Sequence, residues 1–313
     1  MIGAVSKAFF QTLAGSQKLK RLASRYGMRH ERSFAHRFIA GESIEDAVAA
    51  ARRIQSSGLL VTLDYLGESV TTIAEADAAT REYLGLLERI AASGIERNVS
   101  LKLTQLGLTI DRATCVDNLR RILDAGVAQQ FFVRIDMENS PFAAVTLDVF
   151  ETMWQQGYRN AGIVLQSCLR RSEADAGRMN ALGARVRLVK GAYKEPKAVA
   201  YQSKVDVDAA FVRIMRRLLL EGEYPAIATH DPAMIDETRA FAHEQGIGHD
   251  RYEFQMLYGV RRDLQGLLTR EGRRVRVYVP FGREWFPYFM RRLGERPANV
   301  GFVIRAVLRD RQE

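Results

Sequence analysis

Eight times along the chain, a short apolar run rich in β-branched residues ends in a loop, and stretches of helical periodicity lie between the runs. The runs are "GLLVTLDYLG" (58–67), "NVSLKLTQLG" (98–107), "QFFVRIDMENS" (130–140), "AGIVLQSCLR" (161–170), "ARVRLVKGAY" (184–193), "PAIATHDP" (225–232), "YEFQMLYG" (252–259) and "RVRVYVPFG" (274–282). Between them, segments such as "ATCVDNLRRILDAG" and "DAAFVRIMRRLLLEG" return their apolar residues to one helical face. Strand–helix alternation predicts a parallel sheet with helices packed outside it. Eight such units in 313 residues favour a (β/α)8 barrel over an open doubly wound sheet. No GxGxxG follows any run, so a dinucleotide fold has no support.

Composition narrows the partners. Hydrophobic content of 47% and charged content of 27% are globular values. The formal net charge of +9 suits nucleic acid, an anionic membrane surface, or an anionic substrate and cofactor. The basic residues are spread along the chain without an aromatic-rich basic motif, so no nucleic acid is expected. Cys115 and Cys168 form no CxxC and no His-spaced pattern, which predicts a reducing compartment and no metal. Lys7 and Gln11 interrupt "MIGAVSKAFFQTLAG" before a signal-peptide core forms. No stretch reaches the ~18 uninterrupted apolar residues of a membrane span. A cytoplasmic protein is expected, with any membrane contact peripheral. Residues 1–50, including the basic amphipathic "SQKLKRLASRYGMRHERSFAHRFIAG", read as a helical cap on a catalytic barrel of residues 51–313.

The strands of a parallel sheet should be apolar throughout, because both faces are covered. Here each run gathers polar residues towards its C-terminal end: Asp64 and Glu68, Lys102, Asp136 and Glu138, Gln166, Arg187 and Lys190, Thr229, His230 and Asp231, Gln255, and Tyr278. In a barrel these ends meet at one rim, where such enzymes build their sites. Bland roles compete for each residue. Lys102 and Asp136 also fit an ion pair closing the barrel, and His230 before Asp231-Pro232 also fits a helix start. Gln166 suits backbone satisfaction. Arg187 and Lys190, three apart, face opposite sides of a pleated strand, so one of them would reach only solvent. Together the cations at one mouth point to an anionic ligand. After the eighth run, "REWFPYFMRRLGERP" reads as a helix with adjacent Arg291 and Arg292 and with Glu295 one turn after the first. Laid across the mouth, it would aim a guanidinium fork suited to a carboxylate or phosphate.

The motifs "VSLKLTQLG", "VRIDME", "VLQS", "VRLVKGAY", "ATHD", "YEFQMLYG" and "VYVPFGREWFPYFMRRLGERPANVGFV" resemble, in order, the successive strand motifs of proline dehydrogenase. The likeness is to the bacterial monofunctional enzyme and the equivalent domain of bifunctional proline utilisation proteins, and spans residues 58 to 305. The resemblance implies a distorted (β/α)8 TIM barrel with extra N-terminal helices and the last helix over the mouth, binding FAD. It implies oxidation of L-proline to Δ1-pyrroline-5-carboxylate, with electrons passed to a membrane quinone and the product passed to a further oxidising enzyme. Carried over by position, Lys102, Arg291 and Arg292 would hold the substrate carboxylate, and Asp136 would steady them. Tyr278 would wall the substrate ring, and Tyr193 and Leu257 would pack it against the flavin. Arg187 would lie near flavin N5, and Met137, Gln166, Lys190, Gly191, Ala192, Thr229 and His230 would contact FAD. Glu68 would pair with Arg187 as a gate. Two other readings stay open: Lys190 as the Schiff-base lysine of a barrel aldolase, and a basic binding module without an active site.

Overall fold

The computed structural model describes the backbone of residues 34–295 and the side chains of residues 35–290. The helical reading of residues 1–33 lies outside the described residues. Strands β1 (Leu60–Tyr65), β2 (Asn98–Leu101), β3 (Phe132–Ile135), β4 (Ala161–Gln166), β5 (Arg185–Val189), β6 (Ala226–Ala228), β7 (Glu253–Leu257) and β8 (Val275–Phe281) are parallel and pair in chain order. β8 closes against β1, from Leu60 opposite Arg276 to Tyr65 opposite Phe281. Each of the eight apolar runs contains one of these strands, so the closed (β/α)8 barrel is as expected.

The helices are α1 (Ile44–Gln55), α2 (Ile73–Ser93), α3 (Arg112–Ala128), α4 (Ser140–Gln155), α5 (Ser172–Ala181), α6 (Lys204–Glu221), α7 (Pro232–Glu244), α8 (Arg262–Arg270) and α9 (Trp285–Glu295). Several starts are written locally. Ser43 with Asp46 and Thr72 with Glu75 form capping boxes on α1 and α2, each satisfying amides that the first helical turn leaves bare. Ser203 caps α6 and Asp231 caps α7, where Pro232 presets the first turn. Leu63, Val99, Leu119, Ile163 and Phe211 are fully buried in the layer where helices meet strands. Ala47, Ala50 and Ala51 of α1 belong to the same core, so the boundary expected at residue 50 falls inside a helix packed on the barrel.

A second apolar cluster decides where α9 goes. Phe38 and Ile39 pack with Leu66, Trp285, Phe286 and Phe289, and Tyr278 joins its edge. The Ala40 amide donates to the Pro280 carbonyl (2.9 Å) and the Gly282 amide to Gly41 (3.0 Å). Trp285 Nε1 donates to Glu42 Oε1 at 3.0 Å. These ties lay α9 across the C-terminal ends of the strands, so that Tyr288 lines the same cavity as the strand ends.

The interior also carries charge below the mouth. Arg276 Nε and Nη2 reach Glu253 at 2.7 and 3.0 Å, and Nη1 reaches Glu96 at 2.6 Å. Burial alone would push the Arg276 guanidinium down, but Glu253 and Glu96 outweigh it and hold it up. Arg134, equally buried, donates to the carbonyls of Ile163 (3.1 Å) and Arg185 (2.5 Å). The carboxylates hold Arg276 charged, whereas burial pushes the Arg134 guanidinium well down, its carbonyl partners being neutral.

Candidate active site

Five strands contribute to one cluster of charged and polar groups. Asp136, just beyond β3, accepts from Arg187 Nη1 of β5 at 2.7 Å and from the Tyr278 hydroxyl of β8 at 2.8 Å. Lys102, just beyond β2, lies 3.4 Å from Asp136 and 3.2 Å from Asp64 of β1. Arg187 also donates to Ser100 Oγ at 3.1 Å, and its guanidinium carbon sits 5.4 Å from the Tyr278 ring centroid. Burial alone would lower the Lys102 pKa, yet Asp64 and Asp136 override it, so the ammonium persists. Burial, then Asp136 and Asp64, push the Tyr278 phenol well above its ordinary value. Tyr278 is therefore a fixed hydrogen-bond donor. The Lys102 contacts exceed the ~2.7–2.9 Å of tight charge-assisted bonds, so the ammonium is shared between the two carboxylates.

The cluster forms one wall of a cavity of about 700 Å³ that opens at the C-terminal ends of the strands. The other wall is built by β4 to β7. Gln166 Nε2 donates to the Glu138 carbonyl at 2.7 Å, which leaves Gln166 Oε1 buried without a partner. Arg187 Nε is likewise buried with its N–H unused. β5 stops at Val189, and Gly191 follows with φ +115. A Cβ there would lie 2.4 Å from Cys168 Sγ and 2.9 Å from Gln166 Oε1, so only glycine allows this approach. Lys190 Nζ reaches Asp208 (2.5 Å) and Asp231 (2.7 Å), and Lys204 also pairs with both. Burial alone would raise the Asp231 carboxyl; bonds from Lys190 and Lys204 override it and hold it down at about 2. His230 Nε2 accepts the Leu257 amide at 2.9 Å, and Thr229 Oγ1 accepts the Asp231 amide at 3.1 Å.

Lys102, Asp136, Met137, Gln166, Arg187, Lys190, Gly191, Ala192, Tyr193, Thr229, His230, Leu257 and Tyr278 thus line one cavity. The expectation that Arg187 or Lys190 would face only solvent is corrected: both line it, because Lys190 lies past the end of β5 and the pleat no longer governs its direction. Arg187 turns to Asp136 and Ser100, and no ion pair joins it to Glu68 among the described residues. Arg291 and Arg292 belong to α9, but their side chains lie outside the described residues. The bland roles divide: Lys102 and Asp136 pair and Gln166 satisfies a backbone carbonyl, whereas the cap of α7 is Asp231 and His230 accepts the Leu257 amide instead. Sequence reasoning assigned no role to Asp64 or Ser100, although Asp64 is fully buried against Lys102. A carboxylate closing the apolar run "LVTLD" was the available signal.

The family model described as proline dehydrogenase matches residues 47–305. The chain is 41% identical over 303 residues to Proline dehydrogenase 2 of Bacillus subtilis (strain 168), covering 97% of this chain and 99% of that protein. It is 42% identical over 281 residues to Proline dehydrogenase of Deinococcus radiodurans, covering 88% and 91%. Among solved structures, proline utilization A (PutA) from Bdellovibrio bacteriovorus, inactivated by N-propargylglycine, superposes with a TM-score of 0.79 at 28% identity. That match covers 83% of this chain and 32% of the other, so this chain spans about a third of PutA. With a family model matching most of its length and relatives of similar size above 40% identity, the chain belongs to the proline dehydrogenase family.

Proposed function

We propose that this chain oxidises L-proline to Δ1-pyrroline-5-carboxylate with FAD held in the 700 Å³ cavity. The carrying observation is that one cavity joins the Lys102–Asp136–Arg187–Tyr278 cluster to an orphaned amide oxygen, that of Gln166. The volume falls within the ~300–1,000 Å³ usual for ligand and cofactor sites. An unused acceptor on Gln166 and an unused donor on Arg187 suit a ring edge that offers both kinds of group, as a flavin does. Met137, Gln166, Arg187, Lys190, Gly191, Ala192, Thr229 and His230 would hold FAD. When bound, FAD supplies the hydride acceptor.

The protein's part is orientation, charge and dryness. Lys102, with Arg291 and Arg292, would hold the proline carboxylate. Tyr288 lines the cavity, and positions 291 and 292 follow it by one helical turn, which supports placing them at the mouth. The Tyr278 ring, fixed through its hydroxyl to Asp136, would wall the pyrrolidine ring, with Tyr193 and Leu257 on its other sides. The secondary amine must be neutral when hydride leaves, and neighbouring cations disfavour its ammonium form. α9 over the mouth would exclude water. Glu68, three residues past the end of β1, would gate the site together with Arg187.

Electrons would pass to a membrane quinone, and a separate oxidising enzyme would consume the product. No described helix is long and apolar enough to cross a membrane, so the quinone would be met by peripheral contact. An aldolase reading of Lys190 has less support, because its ammonium is occupied by Asp208 and Asp231. The test is an anaerobic absorption spectrum. Flavin bands that bleach on adding L-proline support the proposal, whereas bands that persist refute proline as the donor.

A further inference from the structure

The loop between β1 and α2 carries Glu68, and a chain of bonds leads from it to the cavity wall. On one side, the Leu66 amide donates to the Phe281 carbonyl at 2.8 Å. On the other, Ser69 takes φ 56, a left-handed conformation that non-glycine residues adopt only when held. The Ser69 amide donates to Thr104 Oγ1 at 3.0 Å, and the Val70 amide donates to the Thr104 carbonyl at 3.3 Å. Thr104 is gripped in turn by Glu138: its hydroxyl donates to Oε2 at 2.6 Å and its amide to Oε1 at 3.1 Å. Thr104 is fully buried and Glu138 nearly so. With its one proton committed to Glu138, the hydroxyl must offer a lone pair to Ser69. The Glu138 carbonyl accepts Gln166 Nε2 at 2.7 Å. The next residue of the turn, Gln105, touches the same loop: a Cβ on Gly67 would come within 2.4 Å of its Nε2.

We infer that Thr104 and Glu138 are positioning residues, which fix the β1–α2 loop and with it Glu68. Neither side chain need touch substrate. Glu138 shares the β3 end with Asp136 and Met137, so one short segment carries part of the cavity wall and the anchor of the β1–α2 loop. The inference rests on the proposed proline oxidation only for its kinetic readout.

The test compares Thr104→Val, which keeps the shape and removes both hydroxyl bonds, with Thr104→Ser, which keeps them. Flavin-loaded protein is assayed for proline KM and kcat, flavin absorbance, and amide hydrogen exchange at Ser69 and Val70. In Thr104→Val, we expect exchange and KM to rise about tenfold, the scale of one lost buried hydrogen bond, with kcat and flavin content within about twofold. Thr104→Ser should return exchange and KM to the parent values and leave kcat and flavin content unchanged. Parent-like exchange, faster exchange with an unchanged KM, a joint collapse of kcat, KM and flavin content, or failure of serine to rescue would each overturn the inference. Should Thr104→Val not fold, Glu138→Gln must shift exchange and KM in the same direction, and parent-like values overturn the inference. If the parent protein does not turn over proline, the proline reading fails, while the exchange comparison still decides the positioning role.

Discussion

Replacing Asp136 with asparagine keeps the shape of the central acceptor and removes its charge. The described cluster then holds Lys102 and Arg187 against Asp64 alone. Arg187 (2.7 Å) and Tyr278 (2.8 Å) donate to different oxygens of Asp136, and asparagine keeps only one acceptor, so one bond survives to a neutral oxygen while the other donor meets an amide NH2. The surviving bond loses about 1 kcal/mol, the gap between charged and neutral hydrogen bonds, and the lost one costs about 2 kcal/mol. The Lys102 attraction at 3.4 Å also goes. At an effective dielectric near 20 this attraction is about 5 kcal/mol gross, most of it returned because a carboxylate no longer has to be desolvated. Asp64 still pairs with Lys102, which keeps the total near the lower end for a broken buried pair, about 3 kcal/mol. Urea unfolding of the parent and Asp136→Asn, at equal flavin occupancy, measures this as a lower midpoint at unchanged slope. A loss below about 1 kcal/mol would mean that desolvation cancels the attractions, and the reasoning about the cluster would be wrong.

Two further outcomes follow from the other wall of the cavity. Gln166→Leu strands the Glu138 carbonyl and removes the free acceptor, so FAD should bind about ten- to a hundredfold more weakly in a fluorescence titration of apoprotein. An unchanged Kd would remove Gln166 from the cofactor wall. Asp231 has a folded pKa of about 2, below its unfolded value, so the stability it contributes is complete above about pH 4 and fades as pH falls towards 2. Asp231→Asn keeps the cap on α7 but loses the charge. Its stability deficit against the parent should be constant at higher pH and shrink between pH 4 and 2, and a pH-independent deficit would contradict the Lys190 and Lys204 pairing.

Much of this molecule could be read along the chain. Strand and helix periodicity are local, and so are the capping pairs at Ser43 and Thr72, because a helix start depends on residues within one turn. Polar residues closing apolar runs marked Lys102, Asp136, Gln166 and Tyr278, since a parallel strand has no other reason to end in charge. What the chain could not disclose was partnership. Arg187 meets Asp136 across 51 residues, and Tyr278 meets it across 142, so their pairing depends on barrel closure and register. Strand-face counting likewise misjudged the Arg187–Lys190 pair, because it assumed the pleat continued where β5 had already ended. Arg276 and Glu253 find each other below the mouth by the same closure. Periodicity belongs to neighbours in sequence. Hydrogen bonds and ion pairs act over a few ångströms of space, so only the closed barrel decided which charges meet.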